Sequence, residues 1–152
     1  MKTGVSVADA MTRRPISVEA NTTMKRCAEV MAGNRVGSLI IKEGDRLMGI
    51  IKERDIVRSV VLNNVDSSKA MVKDYMIVDA VTINPNVDIY DALVKMRDMD
   101  VRMLPVVDNG KVVGLLTVKD ILKVQPSLFD LLAEKLVLRE EEGKPIFRKR
   151  DI

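Results

Sequence analysis

Apolar positions in the first half of the chain alternate between segments with helical spacing and short continuous runs. Helical spacing occurs in residues 22–34, whose apolar face carries Met24, Cys27, Ala28 and Met31, and it returns in residues 53–64 with Ile56, Val57, Val60 and Val61. Short apolar runs typical of strands lie at 15–18, 36–43 and 47–52. Thr22 or Thr23 can cap the first helix. The predicted order of elements is β-α-β-β-α.

The second half of the chain repeats this order. A strand is predicted at 80–83, a helix at 86–99, two strands at 102–108 and 111–117, and a helix at 118–124. Asn109 and Gly110 separate the two adjacent strands, and an Asn-Gly pair between apolar runs is a strong signal for a tight hairpin.

Residues 7–57 align on 72–122 at a constant offset of 65 residues without a gap. The residues that meet an identical partner are Val7, Asp9, Met11, Asn21, Met31, Val36, Leu39, Gly49, Asp55 and Ile56. Internal repetition of this length indicates one supersecondary unit built twice. A unit of this size buries only a marginal core, so we expect the two copies to pack together with pseudo-twofold symmetry.

The predicted fold class is therefore α/β (α+β), with two tandem β-α-β-β-α repeats and a C-terminal helix. We expect residues 1–65 to form the first repeat, 66–125 the second, and 126–152 a C-terminal helix and basic tail. Ser127 can cap that helix. Its apolar side can pack across a dimer, dock a partner, or cover the core of its own chain.

Composition narrows the chemistry of the protein. Only 3% of the 152 residues are aromatic while 47% are apolar, so the core must be aliphatic. The chain has no histidine and a single cysteine, Cys27, which excludes an intramolecular disulfide. A zinc site would need carboxylates and one thiol, and the commonest general acid-base group is missing. We therefore expect no metal site and no catalytic residues.

The chain also lacks a predicted membrane-spanning run and a signal-peptide apolar region, so we expect a cytoplasmic protein with no membrane partner. The net charge of +3 tolerates an anionic ligand. The tail at 144–150 is basic, but three glutamates precede it and the chain has only two Phe and two Tyr, which argues against nucleic acid as a partner.

The segments "VADAMTRRPISV" and "VKDYMIVDAVTI" open the two repeats, and "GLLTVKD" at 114–120 joins a strand to a helix. Together with the repeated order of elements, they resemble the cystathionine-beta-synthase (CBS) domain pair, or Bateman module, over residues 5 to about 125. The resemblance implies a non-enzymatic regulatory module that binds adenosine compounds in clefts between the repeats and signals their presence to a partner protein. It also implies a homodimer.

The segment "GLLTVKD" has residue types suited to a ribose phosphate. Thr117 can cap the following helix, whose amides and dipole would face an anion. Asp120 can accept hydrogen bonds from the two hydroxyls of a ribose. Gly114 would allow a close approach of the backbone. The resemblance implies that this segment is the ribose-phosphate motif of the family.

The first copy, "GIIKERD", departs from that motif because Lys52 replaces the threonine. Asp55 can still hold a ribose. Lys52 can bind a phosphate as a point charge, or it can fill the space that a ligand would need.

Family geometry crosses between the copies and implies two clefts. The cleft that matches the motif better would contain Thr12, Pro15, Ile16, Val36, Gly37, Ser38, Arg102, Leu115, Thr117, Lys119 and Asp120. The other would contain Ala80, Val81, Val101, Met103, Ile50, Lys52, Arg54 and Asp55. Arg13 and Arg14 are further candidates for phosphate contacts.

The surplus of Lys and Arg favours AMP, ADP or ATP over S-adenosylmethionine, whose sulfonium is positive. The expected function is an adenine-nucleotide sensor for a partner protein that the sequence does not identify. The alternatives are an S-adenosylmethionine sensor, or a module that binds nucleic acid or protein alone.

Overall fold

Two β-hairpins, one from each repeat, form most of a six-stranded sheet in the computed structural model, which describes residues 2–131 and Ala133. The strands are β1 (Thr12–Arg13), β2 (Ser17–Val18), β3 (Ser38–Glu43), β4 (Arg46–Lys52), β5 (Met103–Asp108) and β6 (Lys111–Thr117). The helices are α1 (Val7–Ala10), α2 (Met24–Asn34), α3 (Glu53–Ile56), α4 (Ile89–Met99) and α5 (Val118–Val124). A π-helical turn continues α3 over Val57–Val61, and short 3-10 helices lie at Val72–Asp74 and Pro126–Leu128.

The two hairpins are β3–β4 and β5–β6, both antiparallel. They meet where Arg46 of β4 pairs with Lys111 of β6. The tight turn expected between β5 and β6 is present, with positive φ angles at Asn109 (50°) and Gly110 (78°). The predicted mixed α and β architecture of two tandem repeats is therefore confirmed.

The pairing obeys the 65-residue offset found in the sequence. Thr12 pairs with Leu115, and Ile77 pairs with Ile50 in the equivalent positions. In each case the segment that opens one repeat lies against the last strand of the other, so the two repeats are joined along two related seams.

The segments that open the repeats also exchange cores. Val7 packs in the cluster of buried residues of the second repeat, where its amide donates to the Val87 carbonyl at 2.8 Å. Val72 packs in the cluster of the first repeat, where its amide donates to the Thr22 carbonyl at 2.8 Å. Each hydrophobic core therefore contains residues from both halves of the chain.

Local sequence accounts for the two long helices. The Thr23 hydroxyl accepts from the Arg26 amide at the start of α2, and the Asp88 carboxylate accepts from the Tyr90 amide at the start of α4. Met24, Cys27 and Met31 are buried on α2, as their spacing predicts.

The predicted strand at 80–83 does not form and reduces to one bridge between Ile83 and Val106. In the first repeat, the amide of Ile40 donates to the Ile16 carbonyl at 3.3 Å. The position equivalent to Ile40 is Pro105, which has no N–H to donate. Even in the first repeat, the strand predicted at 15–18 contains only Ser17 and Val18.

The helix predicted at 53–64 is present in part, but its expected apolar face is divided. Val60 is buried, while Val57 and Val61 are 53% and 63% exposed. A π turn inserts one residue into a helical turn and therefore rotates the residues that follow it.

The C-terminal segment begins differently from the prediction. Pro126 starts the 3-10 helix, and Ser127 lies within that turn, where its hydroxyl accepts from the Gln125 side chain. Ser127 is therefore not a helix cap. Residues 129–131 and 133 are helical, as predicted, and the rest of the predicted helix and the basic tail lie outside the described residues.

Candidate functional site

A cavity of about 950 Å³ lies between the two repeats. Its lining residues from the first repeat are Gly37, Ser38, Lys52, Glu53 and Arg54. Those from the second are Asp100, Val101, Arg102, Met103, Thr117, Val118 and Lys119. Five pairs of these residues are related by the 65-residue offset: Gly37 with Arg102, Ser38 with Met103, Lys52 with Thr117, Glu53 with Val118, and Arg54 with Lys119. The cavity therefore lies on the pseudo-twofold axis.

Equivalent hydrogen bonds build the two halves of this cavity. The Glu53 amide donates to the Gly37 carbonyl at 3.0 Å, and the Val118 amide donates to the Arg102 carbonyl at 3.0 Å. Each bond ties the first residue of a helix to the loop that precedes its hairpin. In each repeat a backbone hydrogen bond thus positions the start of the helix against the loop that faces the cavity.

The aspartates of the two motifs cap the helices in which they lie. Asp120 Oδ2 accepts from the Thr117 amide at 2.9 Å, and the Thr117 hydroxyl accepts from the Asp120 amide at 3.2 Å. Asp55 Oδ2 accepts from the Lys52 amide at 2.9 Å, but the Lys52 side chain has no acceptor to return the bond. Asp120 Oδ1 makes no hydrogen bond within the described part of the chain.

The start of α5 offers fewer donors to an anion than the sequence suggested. The Val118 amide is bound to Arg102 and the Asp120 amide to Thr117. The Lys119 amide alone, of the first three, has no partner among residues 2–131 and 133. Side-chain cations must therefore supply most of the attraction for an anionic ligand in this cavity.

Gly114 makes a close approach, but to the protein itself. A Cβ built at residue 114 would lie 2.5 Å from the Met11 sulfur and 2.9 Å from the Thr12 carbonyl oxygen. The close backbone approach expected at Gly114 is therefore present, and the group that approaches is the opening segment of the first repeat. The role of Gly114 is to let the opening segment of the first repeat cross β6.

The cavity lining is rich in positive charge. Its cations are Lys52, Arg54, Arg102 and Lys119, and its carboxylates are Glu53 and Asp100. Within the described ranges, no salt bridge joins any of the four cations to a carboxylate. Burial, followed by the neighbouring Arg54 charge, lowers the pKa of Lys52 below its usual 10.5, although Asp55 opposes the shift. An anionic ligand would relieve this accumulation of charge.

The structure brings together residues that we assigned to two separate clefts. Gly37, Ser38, Arg102, Thr117 and Lys119 came from one, and Lys52, Arg54, Val101 and Met103 from the other. The predicted residues that do not line this cavity are Thr12, Pro15, Ile16, Val36, Leu115, Asp120, Ile50, Ala80, Val81 and Asp55. Several of them lie along the two seams, where Thr12 pairs with Leu115 and Ile50 pairs with Ile77.

Sequence reasoning missed Glu53, Asp100 and Val118 in the cavity lining. Glu53 and Val118 each follow a motif residue directly, which was the available signal. Asp100 ends α4 with a φ of 59°, the left-handed conformation that Arg35 adopts at the end of α2. Asp100 therefore begins the short loop that leads from α4 to Arg102.

The described part of the molecule gives little support for a metal site or a reactive thiol. No group of three or more Cys, Asp or Glu side chains there is arranged to hold a metal ion. Cys27 is buried, and desolvation raises the pKa of its thiol to about 11. No helix in residues 2–131 and 133 has the length and apolarity needed to span a membrane.

Comparison with known proteins identifies the class. The CBS domain family model matches residues 7–62 and again 72–127, so the chain belongs to the CBS domain family and contains a tandem pair. Such pairs are ligand-binding regulatory modules.

Individual relatives agree with this assignment. An uncharacterized protein of Methanopyrus kandleri is 34% identical over 140 residues, which cover 91% of this chain and 71% of the relative. The CBS domain pair of protein MJ0100, in complex with 5′-methylthioadenosine and S-adenosyl-L-methionine, is 25% identical with a TM-score of 0.70, covering 81% of this chain and 97% of that one. CBSX2 in complex with AMP shares the fold at 22% identity and a TM-score of 0.73, covering 82% and 98%.

Proposed function

We propose that this CBS pair is a sensor of adenine nucleotides (AMP, ADP or ATP), whose phosphates bind in the cavity between the repeats. The observation that carries the proposal is the set of four cations in that cavity, none of them in a salt bridge within the described residues. The volume of about 950 Å³ is within the range of small-molecule sites.

Two considerations support an adenosine compound with phosphates. The MJ0100 domain pair binds 5′-methylthioadenosine and S-adenosyl-L-methionine, which supports an adenosine ligand for this fold. Four cations against two carboxylates favour an anionic ligand over the positive sulfonium of S-adenosylmethionine.

Within this proposal, Arg102 and Lys119 bind phosphate and Asp120 binds the ribose. Arg102 can offer a planar pair of donors to a phosphate. Asp120 directly follows the cavity residue Lys119, and its Oδ1 is available to ribose hydroxyls while Oδ2 caps α5. We propose that the protein is a regulatory module and not an enzyme.

A nucleotide in this cavity would contact both repeats at once and so change their preferred relative arrangement. We propose that a partner protein reads this change. We also propose a homodimer that buries the exposed apolar surface formed by Val57, Val61 and Leu62, which are 53%, 63% and 70% exposed.

Thermal melting of the full chain tests the proposed ligand class. AMP, ADP, ATP, S-adenosylmethionine and a DNA duplex would each be added at the same concentration. A ligand that binds only the folded state increases the free energy of unfolding, by about 2.7 kcal/mol when its concentration is about a hundred times its dissociation constant. This stabilisation raises the melting temperature. We expect stabilisation by an adenine nucleotide. Stabilisation by S-adenosylmethionine alone, or by DNA alone, would replace the proposal with the corresponding alternative.

A further inference from the structure

Glu53 is a carboxylate within the basic cavity and has no salt-bridge partner among the described residues. It lies in the first turn of α3, and a Cβ built at Gly37 would be 3.6 Å from its Cδ and 3.8 Å from both of its carboxylate oxygens. The carboxylate therefore lies broadside over Gly37. Its oxygens make no hydrogen bond or salt bridge within the described part of the chain, so no polar contact there neutralises its charge.

The second repeat places different groups at the equivalent positions. Val118 replaces Glu53, and Arg102 replaces Gly37. At these two positions the first repeat has a carboxylate and no side chain, while the second has an arginine and a valine. Each half carries a net charge of +1, from Lys52, Glu53 and Arg54 in the first repeat and from Asp100, Arg102 and Lys119 in the second, so the halves differ in where the charges lie and not in their sum.

We propose that Glu53 is a specificity-determining residue that limits how much negative charge the cavity accepts. The inference rests on the proposed nucleotide function and deepens it. A ligand with one phosphate can place that group beside Arg102 in the second half of the cavity. A longer phosphate chain also occupies the first half of the cavity, where Lys52 and Arg54 attract its added charges and the Glu53 carboxylate opposes that attraction. Glu53 therefore favours a monophosphate over a triphosphate.

The opposite role for Glu53 makes a different prediction. A carboxylate over Gly37 can accept a hydrogen bond from a ligand amine or hydroxyl, and its removal would then weaken binding. Replacement of Glu53 by Gln keeps the size of the side chain and removes only the charge. The sign of the change in affinity separates the two roles.

The experiment titrates the full chain and its Glu53→Gln variant with AMP, ATP and inorganic tripolyphosphate by calorimetry. We expect Glu53→Gln to tighten binding of ATP and tripolyphosphate by about three- to tenfold, and of AMP by less than about threefold, since a unit charge about 6 Å from another through water-like surroundings changes affinity by about a factor of three. Glu29→Gln makes the same charge change on an exposed part of α2 and should leave all three affinities unchanged.

The outcomes distinguish the two proposals. If AMP and ATP bind but Glu53→Gln leaves their affinity ratio unchanged, or weakens ATP, the inference about Glu53 is overturned and the nucleotide function stands. If tripolyphosphate binds and tightens in the variant while no nucleotide binds, the nucleotide function fails and the role of Glu53 in charge selectivity stands. If none of the three binds either protein, both proposals fail.

Discussion

Met11 of the first repeat packs against Gly114 of the second, leaving no space for a side chain at residue 114. A Cβ there would lie 2.5 Å from the Met11 sulfur and 2.9 Å from the Thr12 carbonyl oxygen. Met76 makes the same approach to Gly49 at the equivalent seam. Both copies need a glycine at this position, because the opening segment of the other repeat crosses the strand there.

Replacing Gly114 by Ala should destabilise the fold by about 1–3 kcal/mol, because the carbonyl at residue 12 belongs to the backbone and cannot move aside as a side chain can. Chemical denaturation measures the loss. Gly33→Ala is the control, since nothing lies within 4 Å of a Cβ at that helical position, and it should be neutral or stabilising by up to about 1 kcal/mol. Equal losses in the two variants would show that the seam tolerates a methyl group.

Much of the fold was predictable because the pattern that encodes it is local. Helical spacing identified α2 and α4, and the Asn-Gly pair identified the turn between β5 and β6. The gapless offset predicted two equivalent units, and the structure contains them.

The exchange of opening segments between the cores was not predictable in this way. Val7 and Val72 are apolar in either arrangement, and the choice of core depends on contacts with residues distant in sequence. The same holds for Gly114, whose neighbours come from the other repeat. Sequence indicated the motif residues at the strand-helix junctions, but only the structure shows that both junctions line one cavity with Glu53 inside it.

The start of α4 should contribute more stability than the start of α2. Asp88 accepts hydrogen bonds from the Tyr90 amide, from the Thr3 and Gly4 amides and from the Thr3 hydroxyl, so it caps the helix and holds the N-terminal segment. The Thr23 hydroxyl accepts only from the Arg26 amide among the described residues. We expect Asp88→Ala to cost at least the roughly 0.5–2 kcal/mol of a lost cap, and more than Thr23→Ala. Urea denaturation of both variants measures the difference, and a larger loss in Thr23→Ala would contradict this account.

Asp88 should also contribute to acid sensitivity. Desolvation opposes the shift, but the hydrogen bonds from Tyr90, Thr3 and Gly4 hold the pKa of Asp88 below its usual 3.8. A carboxylate with a lowered pKa in the folded state stabilises the protein above its unfolded pKa, and that contribution is lost as pH falls through the folded value. The stability difference between wild type and Asp88→Ala should therefore be constant near neutral pH and shrink below about pH 4.

Asp120 should affect both stability and nucleotide binding, and Asp9 only stability. The Asp9 carboxylate accepts from the Ser6 amide at 3.1 Å, as Asp120 accepts from Thr117, but Asp9 does not line the cavity or adjoin a residue that does. Both Ala variants should lose about 0.3–1.5 kcal/mol of stability, the range for losing one element of a helix capping arrangement. Asp120→Ala alone should weaken nucleotide binding, by about 1.5–3 kcal/mol for hydrogen bonds to a charged group. Calorimetric affinities that fall equally in both variants, or in neither, would remove Asp120 from the binding site.

The proposed homodimer should depend on Val61. Val61→Glu places a charge on the exposed apolar surface beside Val57 and Leu62, so light scattering should show a shift from dimer to monomer. Val78→Glu is the matched control, because Val78 is 64% exposed and lies outside that surface. A wild-type chain that is already a monomer, or a Val61→Glu variant that remains a dimer, would refute this interface.

The most direct test of the nucleotide-sensor proposal is a calorimetric titration of AMP, ATP and S-adenosylmethionine into the wild-type protein and into Arg102→Gln. Arg102 lies in the cavity without a salt bridge to any described carboxylate, whereas Arg26→Gln removes the same charge from an exposed position on α2 and serves as the control. We predict that an adenine nucleotide binds the wild type and the Arg26→Gln variant equally, and binds Arg102→Gln about 10- to 100-fold more weakly, as expected for losing a charge-assisted hydrogen bond. Absence of nucleotide binding to the wild type, or equal affinity in all three proteins, would contradict the claim that this cavity binds an adenine nucleotide.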